Sequence, residues 1–160
     1  MSYISRKNIP ENTIEARSYQ TAIADSALSA NTLVVLPTGM GKTAVALLVA
    51  AARIDSGKIL MLAPTKPLVE QHLRYFSKNL LLEEGDVVMF TGSTPSPKRV
   101  AAWNAARFVI ATPEVIKNDL IAGRYGLEDV SLLIVDECHR TVGNYAYVFI
   151  GRRYNETAAH

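Results

Sequence analysis

The sequence predicts an α/β fold, a parallel β-sheet with helices on both faces. Two observations predict it. Short, continuous apolar runs alternate with longer segments of helix formers, and continuous hydrophobicity marks strands buried on both sides. Glycine, proline and small polar residues fall between the runs and separate them. The 160 residues, 49% of them hydrophobic, suffice for one domain with a real core and argue against disorder.

Taken in order, residues 1–12 read as an extended N-terminal segment with Pro10 near its end. Residues 13–30 are predicted helical, with Ile14, Ala22, Ile23 and Ala27 on one face. Thr32-Leu33-Val34-Val35-Leu36 is apolar and β-branched, a buried strand. Residues 44–52 are rich in helix formers. Strands are predicted at 58–62, 87–90, 107–111 and 131–135, and helices at 67–81, 97–105 and 113–121. Pro113 suits the first turn of its helix, and Gly123 and Gly126 mark the following turn.

The formal net charge of +2 allows a nucleic-acid partner without demanding one, so any basic footprint must be local. Cys138 is the single cysteine, which excludes an intrachain disulfide and fits a reducing compartment. No apolar signal region opens the chain, and no run approaches membrane-spanning length. Internal repeats and low-complexity tracts are absent.

Between the strand at 32–36 and the helix at 44–52 lies Leu36-Pro37-Thr38-Gly39-Met40-Gly41-Lys42-Thr43. Strand, glycine loop and helix form the context of a phosphate-binding P-loop. Glycine permits positive φ and close approach of backbone to an anion, and the helix N-terminus adds partial positive charge. Lys42 would reach the β- and γ-phosphates of ATP, and the Thr43 hydroxyl would ligate Mg²⁺. The generic pattern has glycine where this chain has Leu36, and without the Gly-Lys-Thr ending the stretch would be an ordinary turn before a core helix. The second signal is Asp136-Glu137, directly after an apolar strand. An acidic pair there is often only a solvated loop. Beside a P-loop on the same sheet edge it has the form of a Walker B element, with Asp136 holding Mg²⁺ through water and Glu137 deprotonating the attacking water.

Asp136-Glu137-Cys138-His139 resembles the box of the DEAH/DECH helicases of superfamily two. That resemblance implies a RecA-like motor domain. Arg17-Ser18-Tyr19-Gln20 is similar to the family's adenine-reading Q motif, and a glutamine amide can match the adenine edge. By spacing alone Arg17 and Gln20 are only polar helix residues. Ala63-Pro64-Thr65-Lys66-Pro67-Leu68-Val69-Glu70-Gln71-His72 resembles motif Ia. Thr91-Gly92-Ser93 and Ala111-Thr112-Pro113-Glu114 resemble two later strand-contacting loops. The resemblance implies backbone contacts to DNA from Pro64, Thr65, Lys66, Gly92, Thr112 and Pro113. It also implies that the nucleotide is held by Arg17, Gln20, Pro37, Thr38, Gly39, Met40, Gly41, Lys42 and Thr43. Lys42, Asp136, Glu137 and His139 would serve catalysis, with Thr43 and Asp136 on the metal.

A narrower resemblance runs to the archaeal Hef-type helicase–nucleases and the eukaryotic Fanconi-anaemia M-type translocases. It rests on Leu36, on Lys98-Arg99 with Trp103, on the run from Thr112 to Leu120, and on Asp136-Glu137-Cys138-His139-Arg140 followed by Gly143-Asn144-Tyr145-Ala146-Tyr147. It implies single-stranded or forked DNA as partner, with Dicer-like and innate-sensor RNA helicases sharing fewer of these residues. The family's Ser-Ala-Thr type motif and second RecA-like domain are expected after residue 160, so residues 13–160 read as an incomplete first motor domain. The expected fragment is monomeric, carries no membrane segment, has a loose end over 154–160, and is weak or inactive as an ATPase alone. An archaeal source implies the cytoplasm, a eukaryotic one the nucleus.

Other residues receive plainer expectations. His72 reads as a surface helix residue, Trp103 and the Tyr145–Tyr147 pair as packing, and Cys138 as packing rather than a thiol nucleophile. Lys98-Arg99 reads equally as a solvated pair or a phosphate contact. His139 would couple nucleotide state to the motif that follows. A P-loop kinase or small GTPase is a rival reading, against which no Asn-Lys-x-Asp or lid segment is visible. An idle interaction fragment of the same fold is the third.

Overall fold

The computed structural model describes residues 2–32, 34, 41–136 and 145–158. Its elements are α1 (Ser18–Ser29), α2 (Lys42–Arg53), β1 (Lys58–Leu62), α3 (Lys66–Asn79), β2 (Val87–Phe90), α4 (Ser96–Ala105), β3 (Phe108–Ala111), α5 (Pro113–Ile121), β4 (Val130–Val135) and α6 (Tyr145–Thr157). The strands form one sheet in the order β2-β3-β1-β4. Every pairing is parallel. The strand expected over 32–36 falls largely outside the described residues.

Successive strand side chains point to opposite faces, and both faces are covered. On one face Ile59, Met61, Phe108, Ile110, Leu132 and Ile134 pack under α1, α2 and α3, with Leu48, Val69 and Phe76 from the helices. Leu60, Leu62, Val109, Phe90 and Leu133 face the other way, against Trp103, Val115, Ile116, Tyr147 and Ile150 of α4, α5 and α6. This two-sided burial is why the strands lack polar alternation. Trp103 is core, as expected, and stacks on Tyr125 at 4.1 Å.

Three expectations need correction. The helix expected from residue 13 begins at Ser18. Residues 14–16 instead pair back on the N-terminal segment: Ile4 N–H donates to Ile14 O and Ala16 N–H to Ser2 O, both at 2.8 Å. Ile14 therefore packs on the core from outside the helix. Nor is the N-terminal segment extended throughout, since Asn8 and Asn12 take positive φ of 69° and 59° and turn the chain, burying Ile9. At the other end residues 145–157 form a helix, so Tyr154 to Thr157 are ordered rather than loose. Ala146, Tyr147 and Ile150 supply its buried stripe, while Tyr145 is exposed over Lys117.

Asp55 ties the N-terminal segment to the sheet. Its carboxylate accepts from Asn8 Nδ2 at 3.0 Å and Arg107 Nη2 at 2.9 Å, and meets Lys7 Nζ at 2.9 Å. The Asn8 hydrogen bond and the Lys7 contact lead the causes that lower its pKa from 3.8 to about 2. A depressed carboxylate contributes stability above its unfolded pKa and loses it as pH falls through the folded value. Denaturant titrations should therefore show a stability loss between about pH 4 and pH 2 that Asp55→Asn lacks.

Candidate nucleotide site and nucleic-acid interface

The register of the sheet assembles the site. Leu62 lies opposite Ala111 on one side and Val135 on the other, and Phe90 opposite Ala111. All four strands thus end level, and Thr91, Thr112, Ala63 and Asp136 follow them along one edge. Asp136 continues the ladder, its N–H donating to Leu62 O at 2.9 Å. Helix α2 runs back across the sheet. Its last residue, Arg53, accepts from Ser131 Oγ at the opposite, amino edge. Twelve residues at 1.5 Å each span roughly 18 Å, so α2 opens toward the carboxyl edge, where Asp136 stands.

Gly41 caps that opening in the left-handed region, with φ 75° and ψ 46°. A Cβ here would be strained by the backbone and would stand 2.2 Å from Gln20 Nε2. Gln20, only 3% exposed, donates from Nε2 to Gly41 O at 3.2 Å. The expected adenine reader is thereby joined to the glycine loop. Arg17 is exposed and lies against Tyr19 Oη at 3.3 Å. Tyr19 is the first cause raising the Arg17 pKa. Lys42 is exposed and Thr43 half-buried in the first turn of α2, which has neither a side-chain cap nor an acidic residue. Pro37, Thr38, Gly39, Met40, Glu137 and His139 lie outside the described residues, as do Cys138 and Arg140.

His72 overturns its expectation. It is buried, and its Nε2 lies 2.7 Å from Asp136 Oδ2. An ionised carboxylate only accepts, so the imidazole donates. The sequence carried a signal for this, because Val69, His72 and Phe76 all lie on the buried face of α3. A polar residue on an apolar stripe calls for a buried partner.

The expected nucleic-acid loops share this edge. Thr65 is the N-cap of α3 and Thr112 of α5, and α4 starts just after Thr91–Thr94. None of the three helices has a side-chain cap, so their first N–H groups are left for other acceptors. Lys66 and Gly92 are exposed, Pro64 and Thr112 half-buried, and Pro113 buried as the first residue of α5. Lys66 stands 4.0 Å from Glu70 one turn on.

Arg99 is neither solvated nor a phosphate contact. Its Nε and Nη2 donate to Asp119 at 2.7 and 2.6 Å, and Nη1 donates to Thr94 O. Asp119 is fully buried and also accepts from Arg124 Nη1 at 2.7 Å and Tyr125 Oη at 2.6 Å. This cluster fastens the Thr91–Thr94 turn to α5. Lys98 is exposed. A concavity of about 330 Å³ lined by Asp55, Lys58, Arg107 and Asp129 lies at the opposite edge, remote from these residues.

Residues 17–152 match the family model described as DEAD/DEAH box helicase. The chain belongs to the DEAD/DEAH box helicase family. Among relatives of this helicase chain, a Methanocaldococcus jannaschii protein named as an ATP-dependent RNA helicase is 43% identical over 96% of the chain and 20% of its own length. The Drosophila melanogaster DEAD-box ATP-dependent DNA helicase Fancm is 41% identical over 85% of the chain and 10% of its own length. The crystal structure of the Pyrococcus furiosus Hef helicase domain superposes with a TM-score of 0.92 at 47% identity, covering 96% of this chain and 33% of that one. The RecA-like α/β fold and the Hef and Fanconi-anaemia M resemblance are therefore borne out. The chain spans about a fifth or less of the length of these curated relatives.

Proposed function

We propose that this chain is the ATP-binding part of a DNA helicase or translocase motor that acts on forked or branched DNA. The observation that carries this reading is the shared edge: the opening of α2, Asp136, and the uncapped N-termini of α3, α4 and α5 gather at the carboxyl ends of one parallel sheet. Ligands of open α/β sheets bind there.

The residues fit the nucleotide and its metal. Thr43 and Asp136 are oxygen donors of the kind Mg²⁺ takes, and the Gly41 turn opens α2 toward an anion with no acidic residue in the helix's own first turn. When bound, Mg²⁺ neutralises charge on the phosphate oxygens. Lys42 adds a positive charge for the β- and γ-phosphates, and Arg17 and Gln20, the latter joined to the glycine loop through Gly41 O, serve the base. Glu137 follows the metal carboxylate and takes the proton of the attacking water. The N-termini of α3 and α5 hold the sugar–phosphate backbone, which carries no base sequence.

A charge-assisted contact such as that of Lys42 is worth roughly 1.5–3 kcal/mol. Lys42→Ala should weaken binding of a fluorescent ATP analogue by about tenfold or more, with the circular-dichroism spectrum unchanged. Equal affinity would remove the assignment. The name of the M. jannaschii relative favours RNA as a second reading. Titration with forked DNA and with matched RNA, each with and without nucleotide, separates the two.

A further inference from the structure

We propose that His72 is a positioning residue that ties the carboxylate of Asp136 to α3, so that the metal site and the strand-contacting start of α3 move together. This rests on the reading of Asp136 as a metal residue. Two bonds hold Asp136 to the segment between Leu62 and His72. Its N–H donates to Leu62 O, at the end of β1. Its Oδ2 accepts from His72 Nε2 at 2.7 Å, on α3. Between those anchors run Pro64, Thr65 and Lys66, the residues of this loop expected against the nucleic-acid backbone. Asp136 therefore grips the strand leading into that loop and the helix leaving it.

The linkage is stiff. His72 is 5% exposed and its ring lies 6.3 Å from that of Phe76, which packs on Phe108 at 4.9 Å. Lys66 and His72 lie on the same helix, so a shift of the carboxylate toward a bound cation is transmitted along a rigid rod about 9 Å long. Outer partners of metal ligands are worth about 10–100-fold in metal affinity, because they fix the ligand's orientation.

The test compares His72→Leu, which keeps apolar bulk, with His72→Gln, whose amide nitrogen can reach the place of Nε2. Two quantities are read by fluorescence: the Mg²⁺ midpoint for binding an ATP analogue, and the ratio of single-stranded DNA affinities with and without Mg²⁺-nucleotide. His72→Leu should raise the midpoint by about 10–100-fold and bring the ratio toward one. His72→Gln should keep both near the parent. A merely structural histidine would lower thermal stability and leave midpoint and ratio alone, which overturns the proposal. Should His72→Leu not fold, the imidazole ¹⁵N signal of His72 in the parent decides: it shifts on adding Mg²⁺ to the nucleotide complex, and an unmoved signal overturns the proposal. Asp136→Asn is the control. If it leaves the Mg²⁺ midpoint at the parent value, the reading of Asp136 fails and this inference falls with it. If it moves the midpoint while His72→Leu does not, only this inference fails.

Discussion

Asp119→Ala is expected to lower the unfolding free energy by about 3–5 kcal/mol, among the largest effects of any single substitution in this chain. The carboxylate has no exposed surface and accepts from Arg99, Arg124 and Tyr125. Removing it leaves the nearly buried Arg99 guanidinium without its partner, and an uncompensated buried charge costs more than the pair contributes. For a domain of this size each kcal/mol is worth about 2–4 °C, so the melting temperature should fall by about 6–20 °C. An Arg99→Met, Asp119→Leu double variant should recover part of the loss, since an apolar pair of similar volume removes both charges together. A double-mutant cycle by urea denaturation checks this. The pH dependence has a definite sign. Burial alone would raise the Asp119 pKa, but the bonds from Arg99, Tyr125 and Arg124 outweigh it and hold the group below the ordinary carboxylate value. Its contribution is complete above the unfolded carboxylate pKa and disappears as pH falls through the folded one. The acid limb of Asp119→Ala should be flatter for that reason.

Glu137→Gln is expected to lower ATP hydrolysis by about 10²–10⁴-fold, the usual contribution of a positioned general base. The measurement belongs in a chain that includes a second helicase domain. Mg²⁺-ATP binding should survive, because the amide keeps the shape and the metal carboxylate is a different residue. Asp136→Asn should instead remove the Mg²⁺ dependence of binding. Turnover by Glu137→Gln at the parent rate would move the base elsewhere.

Much of this was legible in the residues. Runs such as Ile59-Leu60-Met61-Leu62 are buried on both faces, and a parallel strand covered on both sides suits such a run. The apolar spacing carries α1 back to residue 13 because Ile14 satisfies the core equally from a helix and from a turn before it. Its hydrogen bonds run across to Ile4 rather than along the chain, and apolar spacing does not report bond direction. Helix α6 has its signal in Ala146, Tyr147 and Ile150, which are spaced for one helical face. His72 and Arg99 share one cause of misreading. Each is polar, and polarity suggests exposure until a partner distant in sequence is seen: Asp136 for His72 and Asp119 for Arg99. In each case the signal was a polar residue lying in register with buried apolar ones.

The strand order also governs when the sheet can form. The first strand of the described sheet to leave a ribosome, β1, occupies an interior place between β3 and β4. Neither neighbour exists when β1 emerges, and its residues Ile59 to Leu62 must wait for Phe108 and Leu132 with both backbone edges unpaired. Local helices such as α2 and α3 can flicker into being early, but the sheet that orders them closes only through long-range pairing, which is slow. During that interval a bare apolar strand with two open edges is the segment most prone to join another chain. The arrangement that makes the finished edge so regular thus gives the nascent chain its period of greatest exposure to aggregation.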